Sequence, residues 1–414
     1  MVLGVNAADY SKWGSDIYKI KYMDLPNFEK VNNGVYVIDL GGISLDILLQ
    51  GFSESKNAYC LVVFSGALSK KGIPPFFSGV TLAREVGVPL ISISDPSLSL
   101  SEDLMLAWYA GNQLELNLPS KIAKILDNIF QKLEVKPILM GGAGGGFASL
   151  LQTSLLETPV KTIVWNPQTN ISKYHINHVF KYLKICFPNF KDEIISYEKM
   201  DVLNQNIKLL ELVHKIGLIN DVYDIKKKDV LFLQNIKDNY HIKNHLYPFF
   251  KSENGFKRNG VNSFVNSHDL ALHIGAWGEG HIPPYKEIIV NTLKSIIKGK
   301  SNKDISSTLS MSYSNKSYIP NFSIEKSKIN YKLIEIMGEK FVEIYLDEDW
   351  EVLNLEYAAY FIKDNVNLKI DWYQFSTRFL IPDSDFDSIH IFVRDIFGNV
   401  LQEIIPVDFS VNIA

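Results

Sequence analysis

From Ile138 the chain reads ILMGGAGGGFAS, a short apolar run entering a glycine cluster and then a helix-forming segment. A strand that turns sharply into a helix lifts one side chain at the apex of the turn. The turn is so tight that its neighbours must be small. When the apex residue is serine, in the pattern G-x-S-x-G, the hydroxyl stands clear as a nucleophile for acyl carbonyls. Gly141, Gly142, Gly144 and Gly145 match that layout, but the apex is Ala143. A methyl group cannot attack a carbonyl.

Such a nucleophile needs a base and an acid, which in this architecture follow it in the order nucleophile, acid, histidine. Asp238 follows the apolar run VLFLQ that begins at Val230, where the acid is expected. His281 sits in GAWGEGHIPP, a glycine-rich loop after the next strand-like segment. Each alone reads equally well as a turn or surface residue; their order and spacing favour a catalytic pair. An oxyanion hole would draw one amide from Gly144 and another from the FSGAL loop, at Gly66 or Ala67. Ser65 in that loop, with Trp108, Tyr109, Trp165, Asn166 and Gln168, forms the set of candidate substrate contacts, because each follows the end of a strand-like segment. Aromatics beside amides suit sugar recognition.

Competing chemistries are weaker. The glycine cluster lacks the Gly-Lys-Ser/Thr of a P-loop, and no acid closes a following strand as a ribose partner would. His241 and His245 have helical i, i+4 spacing, but no third ligand is evident, so no metal is expected.

The elements that must position these residues are legible as alternation. Strands are expected at residues 35–39, 45–50, 59–64, 89–93, 138–140, 163–165, 230–234 and 270–274. Helices are expected at 101–111, 119–133, 145–155, 173–186, 203–216 and 286–298. Strands alternating with helices predict a mostly parallel sheet covered on both faces, an α/β fold of the hydrolase type, with an antiparallel edge. After the Lys/Ser/Asn-rich stretch 298–328 the character of the chain changes. Beyond it, β-rich segments at 332–336, 341–346, 357–362, 366–373, 388–394 and 400–406 predict a small β-sandwich. The expected division is therefore 1–320 and 321–414.

Bulk properties narrow the function class. The 414 residues are 46% apolar and 21% charged with a net charge of −4, so neither disorder nor a nucleic-acid-binding face is expected. No apolar run is long enough to span a bilayer. Met1 to Gly14 lacks the basic and apolar regions of a signal peptide, and Cys60 and Cys186 read as buried thiols, so a cytoplasmic setting is expected.

Several phrases, FSGA from Phe64, PPFFSG from Pro74, SDPSL from Ser94, AWYAG from Ala107, WNPQT from Trp165 and GHIPP from Gly280, together with the elbow, carry a resemblance. Over roughly residues 35–295 the chain resembles the XcbB/CpsF-type capsular polysaccharide biosynthesis proteins. More distantly it is similar to capsule O-acetyltransferases of α/β-hydrolase fold. The resemblance implies a serine at the position of Ala143, so this chain reads as either an inactivated variant or a natural non-catalytic relative. It implies a serine-dependent O-acyltransferase, O-acetyl above all, with acetyl-CoA as donor and a surface polysaccharide as acceptor. An esterase of the same glycan and a glycan-binding protein without catalysis stay open, as does a homo-oligomer. The C-terminal part, with YAAYF from Tyr357 and FVRDIFGN from Phe392, looks like the β-sandwich modules of polysaccharide-handling proteins.

Overall fold

The computed structural model describes residues 7–14, 16–27, 31–53, 57–69, 72–223, 229–252, 256–260, 262–314, 327–347, 355–395 and 400–406. Eleven strands form one sheet: β1 (Ile17–Lys21), β2 (Gly34–Asp39), β3 (Ser44–Gln50), β4 (Tyr59–Phe64), β5 (Leu90–Ile93), β6 (Lys136–Gly142), β7 (Lys161–Trp165), β8 (Val230–Asn235), β9 (Lys257–Arg258), β10 (Ser263–Val265) and β11 (Ala271–Gly275). Their spatial order is β1-β2-β3-β5-β4-β6-β7-β8-β11-β10-β9. From β5 through β11 neighbouring strands pair in parallel, while β3 is antiparallel to both β2 and β5. The result is a mostly parallel sheet of the α/β-hydrolase type with antiparallel margins.

Strand β4 shows why the sheet is covered twice. Cys60, Val62 and Phe64 pack with Ile122, Ile125, Leu126 and Ile129 of the helix Leu118–Leu133. Leu61 and Val63 join Ile288, Leu293 and Ile296 of the helix Lys286–Ile297 and Ile305 and Leu309 of the helix Asn302–Ser314. Alternate residues of a strand point to opposite faces, so a continuous apolar run needs a helical layer on each. Cys60 and Cys186 are both buried free thiols.

One expectation fails. Residues 101–111 form no helix. Trp108 and Tyr109 instead take left-handed φ values of 57° and 56°, and the Tyr109 amide donates to the buried Asp95 carboxylate at 2.6 Å. Leu104, Leu106, Ala107, Trp108, Tyr109 and Ala110 are all buried, so the segment fills space rather than presenting one apolar face. Within the Lys/Ser/Asn-rich stretch 298–328, Asn302–Ser314 is a helix. Its polarity is inward: the Ser263 hydroxyl bonds Ser306 O and Ser310 Oγ at 2.9 and 2.7 Å, tying the helix to the sheet margin. Strands β1, β9 and β10 and the helix Val80–Val86 add to the elements expected from the sequence.

Toward the C-terminus lie two antiparallel sheets. One has the order β12 (Ile329–Ile336), β13 (Glu339–Leu346), β16 (Arg378–Leu380). The other has the order β15 (Val366–Gln374), β14 (Glu356–Lys363), β17 (Ser388–Arg394), β18 (Val400–Pro406). Val342, Ile344, Phe361, Phe379, Ile389 and Ile391 are buried, and the burial of β17 alternates residue by residue, as a sandwich requires. The boundary expected near residue 320 lies outside the described residues. Among the described residues no helix is long and apolar enough to cross a membrane.

Candidate active site

The ends of β4, β6, β7, β8 and β11 carry the loops that hold Ala143, Asp238, His281 and their nearest neighbours. At the end of β6 the chain turns straight into the helix Ala143–Leu155, and Ala143 at the turn has φ of 49°. Only a left-handed residue reverses the chain this abruptly, and in a residue with a Cβ it costs roughly 1–2 kcal/mol. The flanking glycines answer to contact. A Cβ on Gly142 would lie 2.0 Å from Trp165 Nε1, and one on Gly145 would lie 2.2 Å from Phe64 O. The turn has the tight, left-handed backbone that the sequence pattern led one to expect at this position, with the Ala143 methyl group at its apex.

Beside the elbow runs the loop after β4. A Cβ built on Gly66 would meet Gly142 O at 3.0 Å and Ala143 Cβ at 4.0 Å. The Gly66 and Ala67 amides have no hydrogen-bond acceptor among the described residues, and the Gly144 amide, second in its helix, has none within that helix. The Gly66 and Gly144 amides thus lie beside residue 143, with Ala67 next along the loop. The Ser65 amide donates to Tyr109 Oη at 2.8 Å, and that hydroxyl donates to Ile93 O at 2.9 Å, which fixes the loop from below.

Asp238, just past β8, is buried, while the side chain of His281 is 43% exposed. His281 Nδ1 lies 2.5 Å from Asp238 Oδ2. Burial by itself would raise the Asp238 carboxyl, but hydrogen bonds from His241 and His281 outweigh it and hold the group well below the usual carboxylate range. Asp238 is thus the acceptor and Nδ1 the donor, which leaves Nε2 of a neutral His281 as the basic nitrogen. His281, Ala143, Gly66 and Ala67 line one cavity of about 1390 Å³. Its further walls include Phe76, Phe77 and Ser78 of the PPFFSG phrase and Pro283 of the GHIPP phrase, together with Trp13 and Lys286, which sequence reading did not single out.

The six candidate substrate contacts divide. Ser65, Trp165 and Asn166 line the cavity. Trp108, Tyr109 and Gln168 do not: they are at most 3% exposed and packed inside the domain, with Trp108 Nε1 donating to Gln168 Oε1. Their role is support, since the Gln168 amide also holds Ala143 O at 3.1 Å. The Asn166 side chain is likewise committed within the protein. Its Nδ2 donates to Ile282 O at 2.8 Å and its Oδ1 accepts from the Asn235 amide at 2.7 Å.

Asn235 was missed by sequence reasoning. Fully buried at the end of β8, it donates from Nδ2 to Gly278 O and Gly280 O at 2.8 and 2.7 Å and accepts from the Trp277 amide at 3.2 Å. All three bonds brace the loop that presents His281. An asparagine ending a strand is a faint signal, and only the fold brings the 276–281 loop to it.

Ligand atoms of Asp238, His241 and His281 lie within 4.8 Å of one another, close enough to raise the question of a cation. The rings of His241 and His281 are stacked, with centroids 4.0 Å apart and planes 19° from parallel. Nearly parallel imidazoles direct their in-plane lone pairs side by side rather than to one point, so the set does not suit an ion as arranged. His245, the other half of the i, i+4 pair, accepts instead from the Thr169 amide at 3.3 Å.

The chain matches no family model and no curated protein. Solved structures do align. The capsule O-acetyltransferase of Neisseria meningitidis serogroup A aligns at 17% identity and a TM-score of 0.39, covering 66% of this chain and 99% of that one. A mutant of that enzyme in complex with CoA aligns at 17% identity and a TM-score of 0.41, with the same coverage. Acetyl xylan esterase 1 of a Thermoanaerobacterium species aligns at 12% identity and 0.39, covering 71% and 96%. At these levels the comparison assigns no activity to the chain.

Proposed function

We propose that this chain is the scaffold of a Ser–His–Asp acyltransferase that moves an acyl group, acetyl above all, onto a hydroxyl of a bacterial surface polysaccharide. Serine belongs at position 143 in this reading. The chain with Ala143 keeps the binding and proton-transfer parts and lacks the nucleophile. The observation that carries the reading is the Asp238–His281 couple opening on the same cavity as the left-handed residue 143.

In the Ala143→Ser protein, the serine Oγ would lose a proton to His281 Nε2 as it attacks the donor carbonyl. The oxyanion would gather on the amides of Gly144 and of Gly66 or Ala67. Collapse returns the proton to the leaving group, which for acetyl-CoA is the thiol. A sugar hydroxyl, deprotonated by His281, then takes the acyl group and frees the serine. The polysaccharide acceptor and the acetyl-CoA donor rest on the sequence phrases that resemble capsule biosynthesis proteins. One observation favours an esterase instead: with His281 43% exposed, water can reach the acyl-enzyme.

The test is Ala143→Ser with a fluorophosphonate, which labels only an activated serine. Labelling that disappears in Ala143→Ser/His281→Ala supports the reading, and an unlabelled, folded Ala143→Ser protein overturns it. Acetyl-CoA turnover with and without polysaccharide then separates transfer to glycan from release of acetate.

A further inference from the structure

The acyl-transfer reading uses one edge of Asp238; the other edge is also occupied. His241 Nδ1 lies 3.0 Å from Asp238 Oδ1, and the His241 amide donates to the same oxygen at 3.3 Å. One carboxylate therefore serves two imidazoles, one per oxygen. His241 is 3% exposed, is not part of the cavity wall, and its Nε2 has no partner among the described residues. It cannot take a proton from a substrate. Its ring lies face to face with His281 at 4.0 Å.

We propose that His241 is a positioning residue for the Asp238–His281 couple. It acts through the Nδ1–H bond to Oδ1, which stops the carboxylate from rotating about its last side-chain bond, so Oδ2 stays aimed at His281. Burial favours the neutral form of His241, so it brings no second positive charge beside His281 when that ring is protonated during turnover. The other groups around the pair are Tyr174, His175, Tyr240 and His245, whose rings approach His241 or its neighbours. None of these makes a hydrogen bond to Asp238 among those the described residues form. Among the described residues, His241 alone shares the carboxylate with His281.

The inference rests on the acyl-transfer reading, so its experiment has two arms. In the chain as it stands, with Ala143, the His281 Nδ1 proton held by Asp238 should give a far-downfield resonance, identified by its loss in Asp238→Asn. His241→Phe keeps a flat ring and removes the donor; His241→Asn places an amide N–H near the former Nδ1. The resonance should broaden or vanish in His241→Phe and persist in His241→Asn. In the Ala143→Ser background, fluorophosphonate labelling at saturation should fall by about 10-fold or more in His241→Phe, with the reagent concentration for half-saturation unchanged, and stay within about threefold in His241→Asn.

A folded His241→Phe protein with the parental resonance and labelling rate overturns the proposal. Should His241→Phe not fold, His241→Asn decides alone: retained resonance and labelling support the donor role, and loss of both in a folded protein overturns it. Absence of labelling in Ala143→Ser with His241 intact counts against the acyl-transfer reading, while the resonance arm still judges His241.

Discussion

Asn235→Ala should loosen the histidine loop, and the structure sets the size of the effect. The substitution removes the bond from the Trp277 amide and the two donated to Gly278 O and Gly280 O. A net contribution of about 1 kcal/mol per hydrogen bond gives a ceiling of about 3 kcal/mol. The two glycine carbonyls belong to exposed residues and can be rehydrated, whereas Trp277 is buried and its N–H would be stranded. A loss of roughly 2 kcal/mol in stability follows, most of it from that one donor. The effect on chemistry should be larger than on folding, because a displacement of about 1 Å in a catalytic group can cost about 100-fold in rate. Asn235→Asp should be worse, since it turns a two-proton donor into a carboxylate facing two carbonyl oxygens. The assay pairs urea unfolding followed by tryptophan fluorescence with the fluorophosphonate labelling rate in the Ala143→Ser background. A variant that unfolds at the parental midpoint and labels at the parental rate would contradict this account, since the loop would then be held by other contacts.

Other consequences are as direct. Ala143→Gly should raise the urea midpoint by the equivalent of about 0.5–1 kcal/mol, since glycine removes the left-handed strain at φ 49°; a lower midpoint would show that the turn is unstrained. Gly145→Ala should cost more than about 3 kcal/mol and abolish labelling even in the Ala143→Ser background, because its Cβ meets backbone, Phe64 O at 2.2 Å, that cannot swing aside. A Gly145→Ala protein that unfolds near the parental midpoint would show that the backbone there gives way. His273 is fully buried, and burial depresses its imidazole from 6.5 to about 3. The unfolded chain binds that proton first, so the stability is present above pH 6.5 and lost as pH falls toward 3, at most about 5 kcal/mol over the whole interval. His273→Asn should flatten the loss of stability measured between pH 6.5 and 4, and an unchanged slope would count against it. Asp95, raised by burial to about 6, acts with the opposite sign, favouring the fold below the ordinary carboxylate range and losing that advantage as pH rises to about 6.

Residue order alone was enough for the parts whose signal is local. Continuous apolar runs required a sheet covered on both faces, and the glycines around Ala143 required a turn too tight for side chains, because both are dictated by neighbours within a few residues. The order elbow, Asp238, His281 was likewise readable, since chain order survives folding. What lay beyond reach came from contacts across long separations. A buried carboxylate, Asp95, overrides helix formation at 101–111 by capturing the Tyr109 amide, and no pattern within that segment announces it. Trp108, Tyr109 and Gln168 have the composition of a binding surface, yet packing turns them inward as supports, because type alone does not reveal which way a loop residue faces. Asn235 and His241 gain their roles only when β8, β11 and the loops after them converge. Local spacing fixes which residues ride on which element, and packing between elements fixes which atoms they meet.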